Sequence, residues 1–520
     1  VENKIPQEMK DLTNSLTVAP DDFRQLSFDE HAEKGANTSA EWEAIGRSYV
    51  EYLNNSSPEW LIFKLSSPSK RSQDIKHIIL YDKLGDEIIQ ENMIQRYSAL
   101  PEGAYYQKEY GTWKTFHRNE LQALVKNEVI KKLKEVGVSW SYNDSRSTTE
   151  YVIGATYQPN IRGNPFESAN PELVAFKNGT YNINSGKLQD NSPDNMLVNA
   201  HDYELNISGK PTPATNKLLE GMITEPAVNL FKQFVGYMFY HSHAPMQDAI
   251  FLHGNGGEGK STLLNYISKE VLGIDNVSAV KPQDLTGENR FKLIQLYLKE
   301  ANIVPDIKKG YLQNTDVLKT LTGGDTMDAE EKGVQGINFT SYAKLLFSAN
   351  DLPTFSDNST GFKDRLMVID LVNGDTRKPD NHFWDSQDMD KVREERSSFV
   401  FDCLTRFKEA LDKHRFDKPR SVIEATEAWH KDNDHFGEFL DEWCEIDLTS
   451  GKGEKASYVV SAYKEFCQMN NYSDKTTAQT ITSNLAKLGV KKDKSTKGWN
   501  NSDYQAWRFI GLRLLKENYP

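Results

Sequence analysis

Asp248-Ala249-Ile250-Phe251-Leu252-His253 runs directly into Gly254-Asn255-Gly256-Gly257-Glu258-Gly259-Lys260-Ser261-Thr262, and then into the helix-compatible stretch Leu263 to Val271. A short apolar run, a glycine-rich loop and a helix in that order form a phosphate cradle. Glycines let the backbone approach an anion closely, the first N–H groups of a helix have no acceptor within it, and Lys260 adds positive charge. Ser261 is placed to hold Mg²⁺ through its hydroxyl, with Thr262 beside it. At ordinary glycine usage, a chance match to this pattern in a chain of this length has a probability of roughly one or two per cent. Residues Gly254 to Thr262 are therefore read as the binding loop for ATP with Mg²⁺.

Outward from the loop, short apolar strands alternate with helices between a break at Gly209 to Thr215 and another at Phe416 to Pro419. That alternation predicts an α/β sheet. A phosphate loop alone does not separate a kinase, a GTPase and a motor, so the downstream residues decide. Leu298 to Ile307 reads as a strand ending in an acid, Asp306, suited to a Mg²⁺ shell. Leu318 to Asp325, running on to Lys332, carries Lys319 and a glycine pair. Ala343 to Pro353 is a buried-type strand ending in the polar Asn350, and Gly361 to Leu366 offers Arg365, whose guanidinium stays charged and forks onto phosphate oxygens.

In this order the blocks resemble those of the superfamily 3 helicases, in the phage and plasmid primase-helicase group that includes the poxvirus relative. The resemblance covers about Lys217 to Leu371. It implies an AAA+ P-loop ATPase core in which Lys260, Asp306, Asn350 and Arg365 are catalytic. Asn350 is then the sensor that orients the attacking water, and Arg365 acts on the neighbouring subunit's site. Ser261 and Asp306 hold the metal, Lys332 sits on a pore hairpin against DNA, and Lys319 reaches phosphate or nucleotide. Relatives often carry two adjacent acids where this chain has Pro305 and Asp306. The family's state is a hexameric ring moving 3′ to 5′ on single-stranded DNA, which implies single-stranded and forked DNA as partners, together with an origin duplex and a primase or other replication protein.

The flanks are less explicit. The helical spacing of Leu121, Leu124, Val125, Val129, Leu133 and Val136 predicts a helix over Arg118 to Gly137, and Thr180 to Asn184 reads as a strand between two turns. Residues from about Tyr105 to Leu205 resemble the mostly helical collar that precedes the motor in relatives. At the other end, Tyr458 to Phe466 and Thr476 to Leu488 read as helices, followed by strand, loop and strand over Lys491 to Lys497 and Tyr504 to Leu514, the plan of a winged helix. From Lys475 to Pro520 nine Lys or Arg, Lys491 and Lys492 among them, oppose three acids. On a chain of net charge −13 that asymmetry predicts a DNA-facing surface. The expected domains are 1–100 with no assigned role, 101–210 collar, 211–416 ATPase and 417–520 winged helix.

Composition bounds the rest. No apolar run is long enough to span a bilayer, and no leader-like segment opens the chain, so a cytoplasmic protein with no membrane partner is expected. Cys403, Cys444 and Cys467 are too scattered for a zinc site or a disulfide framework. Asp21 and Asp22 alone do not make a polymerising centre, so no primer synthesis is expected of this chain. Two other functions compete with a replicative helicase: an origin-binding initiator whose ATPase is an assembly switch, and a P-loop ATPase indifferent to DNA.

Overall fold

Five strands share one parallel sheet: β1 (Ala249–His253), β2 (Val277–Ser278), β3 (Ala301–Ile307), β4 (Lys344–Ala349) and β5 (Leu366–Asp370), in the spatial order β2-β3-β4-β1-β5. The computed structural model describes residues 39–66, 75–117, 119–161, 163–286, 290–312, 314–330, 336–355, 357, 359–470, 472, 476–499 and 505–515. Ile250 stands opposite both Leu346 and Met367, and Ile303 opposite Leu346. A parallel strand is covered on both faces, which is why β1, β3 and β4 read as near-continuous apolar runs. Their alternate residues feed two separate cores. Ile250, Leu252, Ile303, Leu346, Met367 and Ile369 face one, while Ala249, Phe251, Val304, Leu345, Phe347 and Val368 face the other.

The first core is closed by helices Pro213–Met222, Glu225–Met238 and Arg396–Asp412. Gly236 allows the last two to meet: a Cβ there would lie 2.2 Å from the Cys403 carbonyl oxygen and 2.6 Å from the Phe407 Cβ. The second core includes Trp429 of helix Arg420–Asp432, whose indole donates to the Pro353 carbonyl at 2.9 Å, and Val368 N–H donates to Thr426 Oγ1 at 3.0 Å. This helix packs into the second core of the sheet. The expected break at Phe416 to Pro419 is a turn within the core, because Pro419 starts a helix whose apolar face has no other surface to cover.

The expected collar span of 101–210 also needs correction, since the chain divides into compact units Val1–Ser168 and Ala169–Pro520. Strands Leu173–Phe176, Gly179–Asn182, Lys187–Gln189 and Ala200–His201 form a sheet whose Val174, Phe176 and Tyr181, with Tyr203 just after its last strand, enter the same core as helices Pro213–Met222, Glu225–Met238 and Arg396–Asp412. The first unit, taken by itself, combines helices with two small sheets. It holds helices Ser39–Ser56, Tyr81–Asn92, Glu120–Glu135 and Tyr142–Ala155, a hairpin (Leu61–Leu65 with Ile75–Ile79) and a sheet of Thr112–Thr115, Leu100–Gln107, Gln95–Tyr97 and Tyr157–Gln158. Leu84, Ile88, Val125, Val129, Leu133 and Val152 pack its core, so the spacing that predicted the helix over Arg118 to Gly137 marks a buried face.

At the C-terminal end, helices His435–Trp443, Ala456–Met469 and Ala478–Lys487 pack Phe439, Tyr463, Phe466, Ile481 and Leu485 against Phe509 and Leu512. Strand Ala506–Ile510 lies between Gly453–Lys455 and Lys491–Ser495. All three cysteines are buried thiols. Among the described residues, no helix is long and apolar enough to cross a membrane.

Candidate nucleotide site at the carboxyl end of the sheet

Gly256, Gly257 and Gly259 adopt φ of +101°, +90° and +88°, the left-handed region that side chains resist, and so wrap the loop between β1 and the helix beginning at Lys260. Lys260 is only 7% exposed. Its Nζ donates to Asn350 Oδ1 at 2.8 Å, to Glu258 Oε2 at 2.9 Å and to the Gly254 carbonyl at 3.2 Å. Both Glu258 oxygens accept from Gly256 N–H at 2.9 Å. Burial raises the Glu258 pKa, but the Lys260 ion pair and loop N–H groups outweigh it and hold the carboxyl below its ordinary range.

The sheet order brings the distant blocks together. Asn350 follows β4, the neighbour of β1, and Gly254 N–H donates to the Ala349 carbonyl at 3.2 Å. Asp306 lies at the same end, one strand further out, and is exposed. Pro305 has no N–H to give the ladder, and the β3–β4 register shifts between Val304 and Ile307, so Asp306 sits on an irregularity in the strand. Ser261 and Thr262 are exposed in the first helical turn. A hydroxyl and a carboxylate at one end of a sheet fit Mg²⁺, which takes one or two protein oxygens and leaves its other positions to phosphate and water. Among the described residues there is no cluster of three metal-binding side chains, so an all-protein metal cage is not formed there.

Residues after β5, none of them a predicted site residue, cover the loop. Thr376 N–H donates to the Gly257 carbonyl at 3.0 Å, and Asn373 Nδ2 to the Glu258 carbonyl at 2.7 Å. A Cβ at Gly259 would lie 2.2 Å from the Trp384 ring, and one at Gly257 would lie 1.9 Å from Asp375 Oδ1. These two glycines therefore answer to a covering segment as well as to backbone shape. Asp375 is bound by Arg377 at 2.7 Å, and this hydrogen bond lowers its pKa to about 2. At the end of β1, His253 Nδ1 lies 2.7 Å from Asp370 Oδ1, and that contact raises the imidazole pKa.

The other expected site residues lie elsewhere. Arg365 precedes β5 at the opposite end of the sheet, where its carbonyl accepts from Ala249 N–H at 2.7 Å. The length of β1, about 13 Å at strand rise, separates it from the loop of its own chain. Lys319, on helix Thr315–Gly323, is ion-paired with Asp316 and, at 3.0 Å, with Asp357. It lines a polar cleft of about 470 Å³ whose far wall is Thr480, Ser483 and Lys487 of the C-terminal region, away from the loop. Lys332 falls outside the described residues. Lys491 and Lys492 are exposed on a strand whose Lys494 lies 5.5 Å from the Trp507 ring, itself half-exposed.

Glu300 immediately precedes β3 at the end remote from the loop and is fully buried, 3.1 Å from His201 Nε2 and 3.2 Å from His241 Nε2. It is thus unavailable to a nucleotide held at the loop. Nearby, Lys344 Nζ donates to the carbonyls of Tyr240 and Tyr342 at 2.6 Å, and burial drives its pKa well below the ordinary lysine value.

Comparison with known proteins finds two family models on separate stretches of the chain. Residues 78–239 match a family model described as D5 N terminal like, and residues 252–365, from β1 to Arg365, match a family of unknown function, DUF5906. Over 351 residues the chain is 25% identical to a protein of Acanthamoeba polyphaga mimivirus named "Putative helicase"; the match covers 61% of this chain and 35% of that protein. The chain thus spans about a third of the relative's length. Two apo structures of the C-terminal region of NrS-1 align with TM-scores of 0.40 at 13% and 12% identity, each covering 82% of this chain and 98% or 99% of the solved one.

Proposed function

We propose that this chain is the ATP-hydrolysing motor of a replicative DNA helicase, a superfamily 3 AAA+ ring that works as a homo-hexamer on single-stranded and forked DNA. The observation that carries the proposal is the 2.8 Å contact between Lys260 and Asn350, which joins a phosphate loop to a polar residue ending the adjacent strand. Strand β4 lies between the loop strand β1 and the Asp306 strand β3, so loop lysine, polar sensor and acid form one row along the carboxyl end. Lys260 then neutralises phosphate charge, Asn350 orients the attacking water, and Ser261 and Asp306 would hold Mg²⁺, which shields charge on the transferred phosphoryl group. Arg365 faces away from its own loop, so its guanidinium serves a neighbouring subunit's nucleotide. Its Nη1 donates to the Gly361 carbonyl, while its Nε is buried with no acceptor among the described residues.

The similarity to the mimivirus protein supports a helicase class. The exposed Lys491, Lys492 and Lys494 beside Trp507 support a nucleic-acid surface on a C-terminal winged helix, with cations for phosphates and a ring for bases. ATP hydrolysis by the purified chain, with and without single-stranded DNA and beside Lys260→Ala, tests the reading. A DNA-stimulated rate that falls at least about 100-fold in the variant supports a motor. Hydrolysis unmoved by DNA would leave an assembly switch or a DNA-independent ATPase.

A further inference from the structure

A concavity built for phosphate already holds an anion supplied by the chain. The Glu258 side chain is folded into the loop and 2% exposed, with both oxygens on Gly256 N–H and one on Lys260 Nζ. Gly254 accommodates it, since a Cβ there would lie 2.8 Å from Glu258 Oε1. The loop backbone is pinned from outside by Asn373 on the Glu258 carbonyl and Thr376 on the Gly257 carbonyl. Vacating the seat therefore needs only rotation of the Glu258 side chain.

Electrostatics makes the two occupants exclusive. In the free loop the carboxylate compensates an ammonium that is almost entirely buried, and an unpaired buried charge is costly. A β- or γ-phosphate on Lys260 would bring a second anion to the same nitrogen, and two anions within a few ångströms repel. We infer that Glu258 is a resident phosphate surrogate that any nucleotide reaching Lys260 must displace, and so sets how tightly the loop holds di- and triphosphates. This rests on the nucleotide-site reading above.

The test uses the full chain with Glu258→Gln and Glu258→Ala, measuring equilibrium affinity for ADP, a non-hydrolysable ATP analogue and AMP, and the melting temperature with and without ADP. Losing a charge-assisted competitor should tighten ADP and the ATP analogue by about tenfold each. AMP, which has no phosphate at the Lys260 position, should be unchanged. Without nucleotide both variants should melt lower than the parent, and the rise on adding ADP should be larger. Unchanged or weaker ADP binding by Glu258→Gln, with the parent binding normally, overturns the inference. Should parent, both variants and Lys260→Ala all fail to bind ADP and the ATP analogue at millimolar concentration, it is the nucleotide-site reading itself that fails.

Discussion

The two ends of one parallel sheet hold similar residue types and treat them in opposite ways. At the carboxyl end Lys260, Glu258 and Asn350 touch one another around a glycine loop, with the exposed Ser261, Thr262 and Asp306 beside them. At the amino end Glu300, His201, His241 and Lys344 are almost wholly buried and bonded to one another or to carbonyls. Chain direction explains the division. In a parallel sheet every strand delivers its following loop to the same end, so the loops that can open for a ligand collect there. Polar groups at the start of the strands are roofed by the elements that precede them and survive only when fully paired. Perturbed ionisation marks both ends, so it does not by itself identify the chemical one.

Substitution of Glu300 tests the structural end most severely. Glu300→Ala leaves two histidines without their shared acceptor and should cost about 3–5 kcal/mol in urea unfolding. A variant of normal stability with selectively lost hydrolysis would give the amino end a part in the chemistry and dissolve the contrast. Arg365 is the exception at that end, being partly exposed. Arg365→Ala should lower kcat for ATP by about 10³-fold while the isolated chain keeps its ADP affinity. Mixed with Lys260→Ala it should regain activity, because a ring containing both variants has some intact interfaces. Weakened ADP binding by the isolated variant would place the guanidinium in its own chain's site and erase the distinction between ends.

Two histidines sharpen the comparison with opposite signs. His430, beside Leu366 at the amino end, is buried; burial first, and the Lys363 charge second, lower its pKa to about 4. The unfolded chain takes this proton near pH 6.5 and the folded one only near 4, so stability should fall by about 3 kcal/mol between those pH values. His430→Phe should flatten that slope in denaturant melts, and an unchanged slope assigns the acid sensitivity elsewhere. His253 at the carboxyl end has its pKa raised, chiefly by the hydrogen bond to Asp370. Its contribution is full below the unfolded value and disappears as pH rises through the folded one. With Asp370 more than half exposed, it should stay under about 1 kcal/mol. A His253 titration followed by NMR should shift downward in Asp370→Asn; no shift would remove the pair from the account.

The loop from Gly254 to Thr262 and its flanking strand and helix were legible because their chemistry is local: glycine conformation, helix N–H groups and a lysine within six residues of every loop glycine. Asn350 was legible as a polar residue ending an apolar strand, but its contact with Lys260 depends on β4 lying next to β1, which no local pattern encodes. The covering residues Asn373, Asp375, Thr376 and Trp384 were missed, since nothing in their own stretch refers to a loop more than a hundred residues earlier. The one available signal was indirect: glycines at 257 and 259 forbid a side chain that would strike Asp375 or Trp384. The boundary at Phe416 to Pro419 misled because proline and charge mark a turn equally well inside a domain and between two. The collar span misled because strands Leu173–Phe176 and Gly179–Asn182 share their core with helices Pro213–Met222, Glu225–Met238 and Arg396–Asp412.

What the sequence by itself determined is everything set by neighbours in the chain: an α/β core, apolar strands of parallel type, a glycine loop with its lysine, and a basic C-terminal segment. Tertiary structure alone decided which acid is exposed and which is buried, since Asp306 lies near the end of β3 and Glu300 immediately precedes its start, so the two differ in the end of the sheet they occupy. It also decided that Glu258 turns inward onto Lys260, and that Arg365 faces away from its own loop. The physical reason is that propensity and hydrogen-bonding capacity act over a few residues. Burial, charge pairing and strand order depend on partners that only the folded chain brings within reach.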